Sequence, residues 1–220
     1  MGGNLETHDN LVRYLCCHTL ATVVSVGYLN APEGKFPLQL EQAYDTLLWI
    51  MERNKGSGGR PPRIAVVGDS AGGNMAAVLC LMVRDRKGPE LCLQVLLNPA
   101  PDLTCHGTLT PQGDLFDQLR WQALQYLSNP EKEIQDPHVS PLLAQDLSRL
   151  PPAVVILAEH DPLRESGQQY ADQLQAAGVP TEVYCQPNVG HLAYDGGRAT
   201  ARALDSLQVA AHALRRAFQP

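Results

Sequence analysis

The sequence predicts an α/β fold in which a mostly parallel sheet carries helices on both faces. Three observations predict it. Several short apolar runs are nearly continuous instead of alternating, as strands covered on both faces require. Segments of helical period separate those runs, so strand and helix take turns along the chain. At 220 residues, 44% hydrophobic and 18% charged, the chain is long enough to bury a sizeable core and too apolar for disorder.

In order, the pattern predicts a helix over about Glu6–Thr19, a strand at Thr22–Tyr28 ("TVVSVGY"), a helix over Leu38–Arg53 and a strand at Ile64–Gly68. A small-residue helix at Ala71–Arg84 and a strand at Leu93–Asn98 ("LQVLLN") follow. Late in the chain come a strand at Ala153–Ala158, a helix over Leu163–Ala177, a strand at Thr181–Gln186 and a last helix over Ala193–Ala217. Pro101–Pro152 interrupts this rhythm with many Pro, Asp and Gln residues and one helical candidate, Asp114–Leu127. An excursion of that length from a compact α/β core is commonly part of a lid or pocket wall. We therefore read residues 1–220 as one domain with a partial cap or insertion at about 101–152.

Composition excludes several classes. A net charge of −6 and 17 scattered Lys and Arg residues offer no basic block for phosphates, so no nucleic-acid partner is expected. No apolar run approaches the roughly 20 residues of a membrane span. The six cysteines, Cys16, Cys17, Cys80, Cys92, Cys105 and Cys185, form no CxxC pair and show no metal-ligand spacing. Four of them lie in apolar helix or strand patterns, where a thiol acts as a small core residue. No cysteine-based metal site is expected, and a reducing cytoplasm is the expected location.

The chemistry centres on Gly68-Asp69-Ser70-Ala71-Gly72-Gly73, a G-x-S-x-G motif between a strand and a helix. A serine on so tight a turn needs small neighbours two residues away, which Gly68 and Gly72 supply. The turn lifts the hydroxyl above the strand ends and sets the Ala71 N–H at a helix N-terminus, where it can donate to a developing oxyanion. The alternative is a Gly-rich turn without chemistry, or a phosphate cradle, but neither phosphate-loop pattern is present.

Serine needs a base and an orienting acid. Asp161, in "AEHDPL", and His191, in "NVGHLAY", follow late strands in the order Ser, Asp, His, at the carboxyl edge where parallel sheets bind ligands. Alone, Asp161-Pro162 also suits a helix start, and His191 an ordinary loop. His160 precedes the last strand and stands in the wrong order for the base. His8, His18, His106, His138 and His212 read as surface or packing residues.

These residues resemble the hormone-sensitive-lipase-like branch of the α/β-hydrolases, through "NLETHDNLVR", "VVSVGYLNAPEGKFP", "RIAVVGDSAGGNMAA", "DPHVSPLLA", "LPPAVVILAEHDPLRESGQQYADQLQAAGVP" and "GHLAY". The resemblance covers nearly the whole chain. It implies an α/β-hydrolase sheet, a serine esterase activity on small-molecule acyl esters without metal or cofactor, and Ser70 as nucleophile, Asp161 as acid and His191 as base. The alternative reading is a weakly active or non-catalytic remnant that at most binds a small molecule.

The chain departs from that family at its start. Members carry a His-Gly-Gly-Gly oxyanion loop just upstream of the segment that here reads Gly3 to Asp9. Met1-Gly2-Gly3 resembles only the tail of that loop, which leaves the Ala71 N–H as the one oxyanion donor the sequence identifies. The family strand before the loop lies between the strand resembling Thr22–Tyr28 and the nucleophile strand. Its absence, with that of the first cap segment, predicts an N-terminally shortened chain. Either Thr22–Tyr28 shifts to pair with Ile64–Gly68, or a slot is left in the sheet whose edges invite self-association.

Overall fold

In the computed structural model the described residues are 3–54, 62–104, 114–192, 194–195, 198–199 and 201–219. Cys105, His106 and the predicted helix start at Ala193 lie outside them. The elements run α1 (Asp9–Thr19), α2 (Leu38–Asn54), β1 (Ile64–Asp69), α3 (Ala71–Asp85), β2 (Leu91–Leu97), α4 (Asp114–Tyr126) and α5 (Pro130–Glu133). Then follow a 3-10 turn at Pro141–Leu143, β3 (Ala153–Ala158), α6 (Arg164–Ala176), β4 (Thr181–Gln186), the two-residue strands β5 (Tyr194–Asp195) and β6 (Arg198–Ala199), and α7 (Ala201–Phe218).

Strands β1 to β4 form one parallel sheet in the order β1-β2-β3-β4. Successive side chains point to opposite faces, so each strand feeds two layers. Leu96, Val155 and Leu157 pack with α2, α3 and α6 on one face, while Leu93, Val95, Leu97, Val154 and Ile156 pack with α1 and α7 on the other. This is why β2 and β3 read as continuous apolar runs: both faces are covered. Helix α3 is buried continuously from Gly73 to Val83, which explains why its sequence lacks a polar face.

Two predicted elements are corrected. Thr22–Tyr28 forms no ladder, and among the described residues β1 pairs with β2 alone, at the edge of the sheet. Of the two outcomes foreseen, the shifted pairing does not occur. The segment still contributes to both layers: Val23 packs into the α1/α7 layer and Tyr28 into the opposite layer, beside the same clusters that Ala65, Val67 and Ile64, Val66 enter. Its β-branched pattern reports that two-sided environment, and periodicity carries no information about whether a hydrogen-bonded neighbour exists. The last helix begins at Ala201, not near Ala193, because the short antiparallel pair β5-β6 precedes it.

The cysteine reading is also corrected. Cys80 is buried and burial pushes its thiol pKa well up, and Cys92 is half-buried, but Cys16, Cys17 and Cys185 are exposed. Cys16 and Cys17 sit on the polar side of α1, whose buried residues are Leu15 and Thr19.

The interruption after β2 builds a small third cluster, in which Tyr126, Leu127 and Val139 close over Ala31 and Phe36. The Phe36 and Tyr126 rings meet edge to face at 5.9 Å, and the Phe36 N–H donates to the Tyr126 carbonyl at 2.9 Å. Lys35 Nζ donates to the carbonyls of Gln125 and Leu127, satisfying the C-terminal end of α4 with a cation.

Candidate active site

Ser70 sits between β1 and α3 with φ +53° and ψ −114°, in a region a residue with a Cβ rarely occupies. Such strain costs of order 1–3 kcal/mol and persists only where surrounding bonds over-determine it. Here the Ser70 N–H donates to Leu97 O at 2.9 Å, and Ser70 O accepts from the N–H groups of Asn74 and Ala100 at 3.0 and 3.2 Å. The glycines divide by necessity. A Cβ on Gly68 would lie 2.0 Å from Gly72 O, and one on Gly73 would lie 3.0 Å from Pro99 Cα. On Gly72 it would meet nothing nearer than Asp69 Oδ1 at 3.7 Å, so space requires glycine at 68 and not at 72.

Ser70 Oγ lies 2.9 Å from His191 Nε2, and His191 Nδ1 lies 2.8 Å from Asp161 Oδ2. Because the carboxylate can only accept, Nδ1 carries the hydrogen and Nε2 is left to accept from the serine hydroxyl. The Asp161 side chain is 1% exposed and that of His191 15%. Asp161 Oδ1 is occupied as well, accepting the Leu163 N–H at 2.8 Å. That bond closes the turn at Asp161-Pro162, while α6 begins at Arg164 with Leu163 as its N-cap and no side-chain cap, so Asp161 serves the turn ahead of the helix with one oxygen and His191 with the other. His160, set aside on chain order, is exposed and approaches the site through its backbone, donating N–H to Val189 O at 2.9 Å.

Ala71, the expected oxyanion donor, is the first residue of α3, where N–H groups have no intrahelical acceptor. Two residues that sequence reasoning missed also reach this turn. Asn74, buried in α3, donates Nδ2 to the carbonyls of Ala100 and Val139 at 2.8 and 2.9 Å, riveting the helix to the segment after β2 and to the insertion. His8, read as surface or packing, places Nε2 3.2 Å from Asp69 Oδ2, the residue before the serine. A separation of 61 residues leaves no local signal for that contact. The carboxylate raises the pKa of His8 above its ordinary value, against a smaller opposing effect of burial. Tyr28 is raised too, first by burial and then by the Asp69 charge.

Among the described residues no helix is long and apolar enough to cross a membrane.

Comparison with known proteins agrees with this geometry. The model of a family described as having the alpha/beta hydrolase fold matches residues 1–195. The carboxylic ester hydrolase LipN of Mycobacterium tuberculosis is 40% identical over 191 residues, 82% of this chain and 51% of that protein. The carboxylesterase NlhH of the same species is 38% identical, over 96% of this chain and 70% of its own. The chain thus spans about half of one relative and about two thirds of the other. Among solved structures, an esterase of Pyrobaculum calidifontis superposes with a TM-score of 0.87 at 38% identity, over 97% of this chain and 72% of that one. With a parallel sheet, a strained serine turn at its carboxyl edge and a family match over most of its length, this chain belongs to the α/β-hydrolase fold family.

Proposed function

We propose that the chain is a serine carboxylesterase acting on small esters of short to medium acyl length. The observation that carries the reading is the unbroken relay from Ser70 Oγ through His191 to Asp161, at 2.9 and 2.8 Å. In acylation Ser70 Oγ attacks the ester carbonyl carbon while His191 Nε2 takes the hydroxyl proton. Asp161 stabilises the resulting imidazolium. The tetrahedral oxyanion is met by the Ala71 N–H at the start of α3. Collapse expels the alcohol, which receives the proton from His191, and water then repeats the sequence on the acyl-enzyme. The chain acts in this reading as one domain with its insertion at about 101–152. The exposed thiols Cys16, Cys17 and Cys185 favour a reducing compartment, the cytoplasm.

The test is hydrolysis of p-nitrophenyl acetate and butyrate. A burst of p-nitrophenol from the unaltered protein, lost in Ser70→Ala and His191→Ala, is the expected result. Equal slow rates in all three would overturn the reading.

Among the described residues β1 is paired on one side only, and this favours a second reading, a weakly active or binding-only chain. A strand supported on one side holds its terminal turn less firmly. A fluorophosphonate separates the readings, since only an activated Ser70 is labelled. The same edge is where self-association would begin, and light scattering across a concentration series reads it.

A further inference from the structure

β1 leads directly into Ser70, with its φ of +53° and ψ of −114°, and among the described residues it is held by a strand on one side only. On its inner side the turn is fastened by the Ser70 N–H to Leu97 O. The outer side has a different fastening. His8, at the N-terminal boundary of α1, reaches Asp69 Oδ2 with Nε2 at 3.2 Å. Its other nitrogen, Nδ1, lies 3.0 Å from Thr7 Oγ1 and 3.3 Å from Asn4 O.

Asp69 offers only acceptor oxygens, so Nε2 carries a hydrogen and donates to it. Nδ1 faces Thr7 Oγ1, a hydroxyl that can donate or accept, and the Asn4 carbonyl, an acceptor. When both ring nitrogens are protonated the bond to the Asp69 carboxylate is charge-assisted, and such a bond is roughly twice as strong as a neutral one. The loop carrying these acceptors is itself pinned. Gly3 packs so close to the ring that a Cβ there would lie 2.7 Å from His8 Cε1, and Gly3 O accepts from Asn30 Nδ2 at 3.2 Å. Asn4 and Thr7 exchange reciprocal bonds at 2.8 Å that close the loop on itself.

We infer that His8 is a positioning residue for the nucleophile: held between Asp69 and the Asn4–Thr7 loop, it braces the outer side of the strained turn as β2 braces the inner side. The inference rests on the hydrolase reading of Ser70 and assigns His8 no contact with substrate. It acts through Asp69, the residue whose main chain leads directly into the serine. Loss of the brace lets Ser70 Oγ wander from its place 2.9 Å from His191, which lowers turnover more than ester binding.

The test compares the unaltered chain with His8→Ala, His8→Gln, Asp69→Asn and the double variant His8→Ala/Asp69→Asn. With p-nitrophenyl acetate, His8→Ala is expected to lower kcat about tenfold with KM within about twofold. His8→Gln, which retains a donor for Asp69, is expected to recover part of the loss. The double variant is expected to be no worse than the poorer single one, the signature of two residues acting through one contact. An unchanged kcat in His8→Ala, or multiplying losses in the double variant, overturns the inference. A second measurement does not depend on turnover: the NMR titration of His8 is expected to move down toward the ordinary imidazole value in Asp69→Asn, and an unmoved titration overturns the contact. A chain no faster than Ser70→Ala overturns the hydrolase reading instead, and the His8 titration then still decides whether the brace exists.

Discussion

The backbone N–H of His160 donates to the carbonyl of Val189 at 2.9 Å, and this bond joins the loop after β3 to the loop after β4. A second tie, from the Asn188 N–H to Glu159 Oε2 at 2.7 Å, runs beside it. Asp161 and His191, 30 residues apart in sequence, are brought to 2.8 Å because these two loops are laced together by groups that take no part in the chemistry. The histidine excluded on chain order thus serves the site through its main chain.

Asp161→Asn is expected to fold and to lose activity. Asparagine can still accept the Leu163 N–H through its oxygen, which preserves the turn ahead of α6. Its amide then faces His191 Nδ1 with hydrogens and forces the wrong tautomer, so kcat is expected to fall by about 10⁴. Steady-state kinetics alongside a thermal melt check this, and a large fall in Tm would refute the division of labour between the two carboxylate oxygens.

The glycines of the turn are expected to respond oppositely to alanine. Gly68→Ala drives a methyl to within 2.0 Å of a backbone oxygen, and a loss of about 4 kcal/mol or more is expected. Gly72→Ala meets only ordinary contact and replaces a helix-weakening residue, so its stability is expected within about 1 kcal/mol of the parent. Urea unfolding of the two variants measures both.

Asn74→Ala removes the donor to two carbonyls, those of Ala100 and Val139. A buried acceptor left unmatched costs about 1–3 kcal/mol, so a loss of about 2–4 kcal/mol is expected, with proteolysis of the insertion accelerated before global unfolding. Uniform proteolytic resistance in the variant would show that the insertion is held elsewhere.

Glu41 joins α2 to Arg86 beyond α3 through bonds of 2.7 and 2.6 Å, and the guanidinium lowers its pKa. A carboxylate with a depressed folded pKa contributes stability that is present above its unfolded pKa and lost as pH falls through the folded one. Both partners are about 40% exposed, so the contribution is expected to stay below about 1 kcal/mol and to shrink with salt. The stability of Glu41→Gln, compared with the parent at pH 7 and pH 3, should differ at the higher pH and converge at the lower.

Order along the chain and local period carried much of the site. The serine turn is legible because Gly68 admits no substitute, Asp161 because it follows a strand buried on both faces, and His191 because it comes after the last strand of the parallel sheet in the order Ser, Asp, His. The exposed thiols Cys16, Cys17 and Cys185 were not legible, since an apolar neighbourhood in sequence does not say which side of an element meets water. The β5-β6 pair was missed because two-residue strands leave no periodicity to read.

The sequence by itself determined the alternation of strand and helix, the strained serine turn and the order of its partners, because these depend on interactions within a few residues and on side chains filling two layers. The tertiary structure alone decided that, among the described residues, Thr22–Tyr28 joins no ladder and β1 pairs on one side only, and that His8 meets Asp69. Those outcomes turn on which distant groups come within about 3 Å of one another. A hydrogen bond of that reach is set by the packing of whole elements and leaves no mark on local composition.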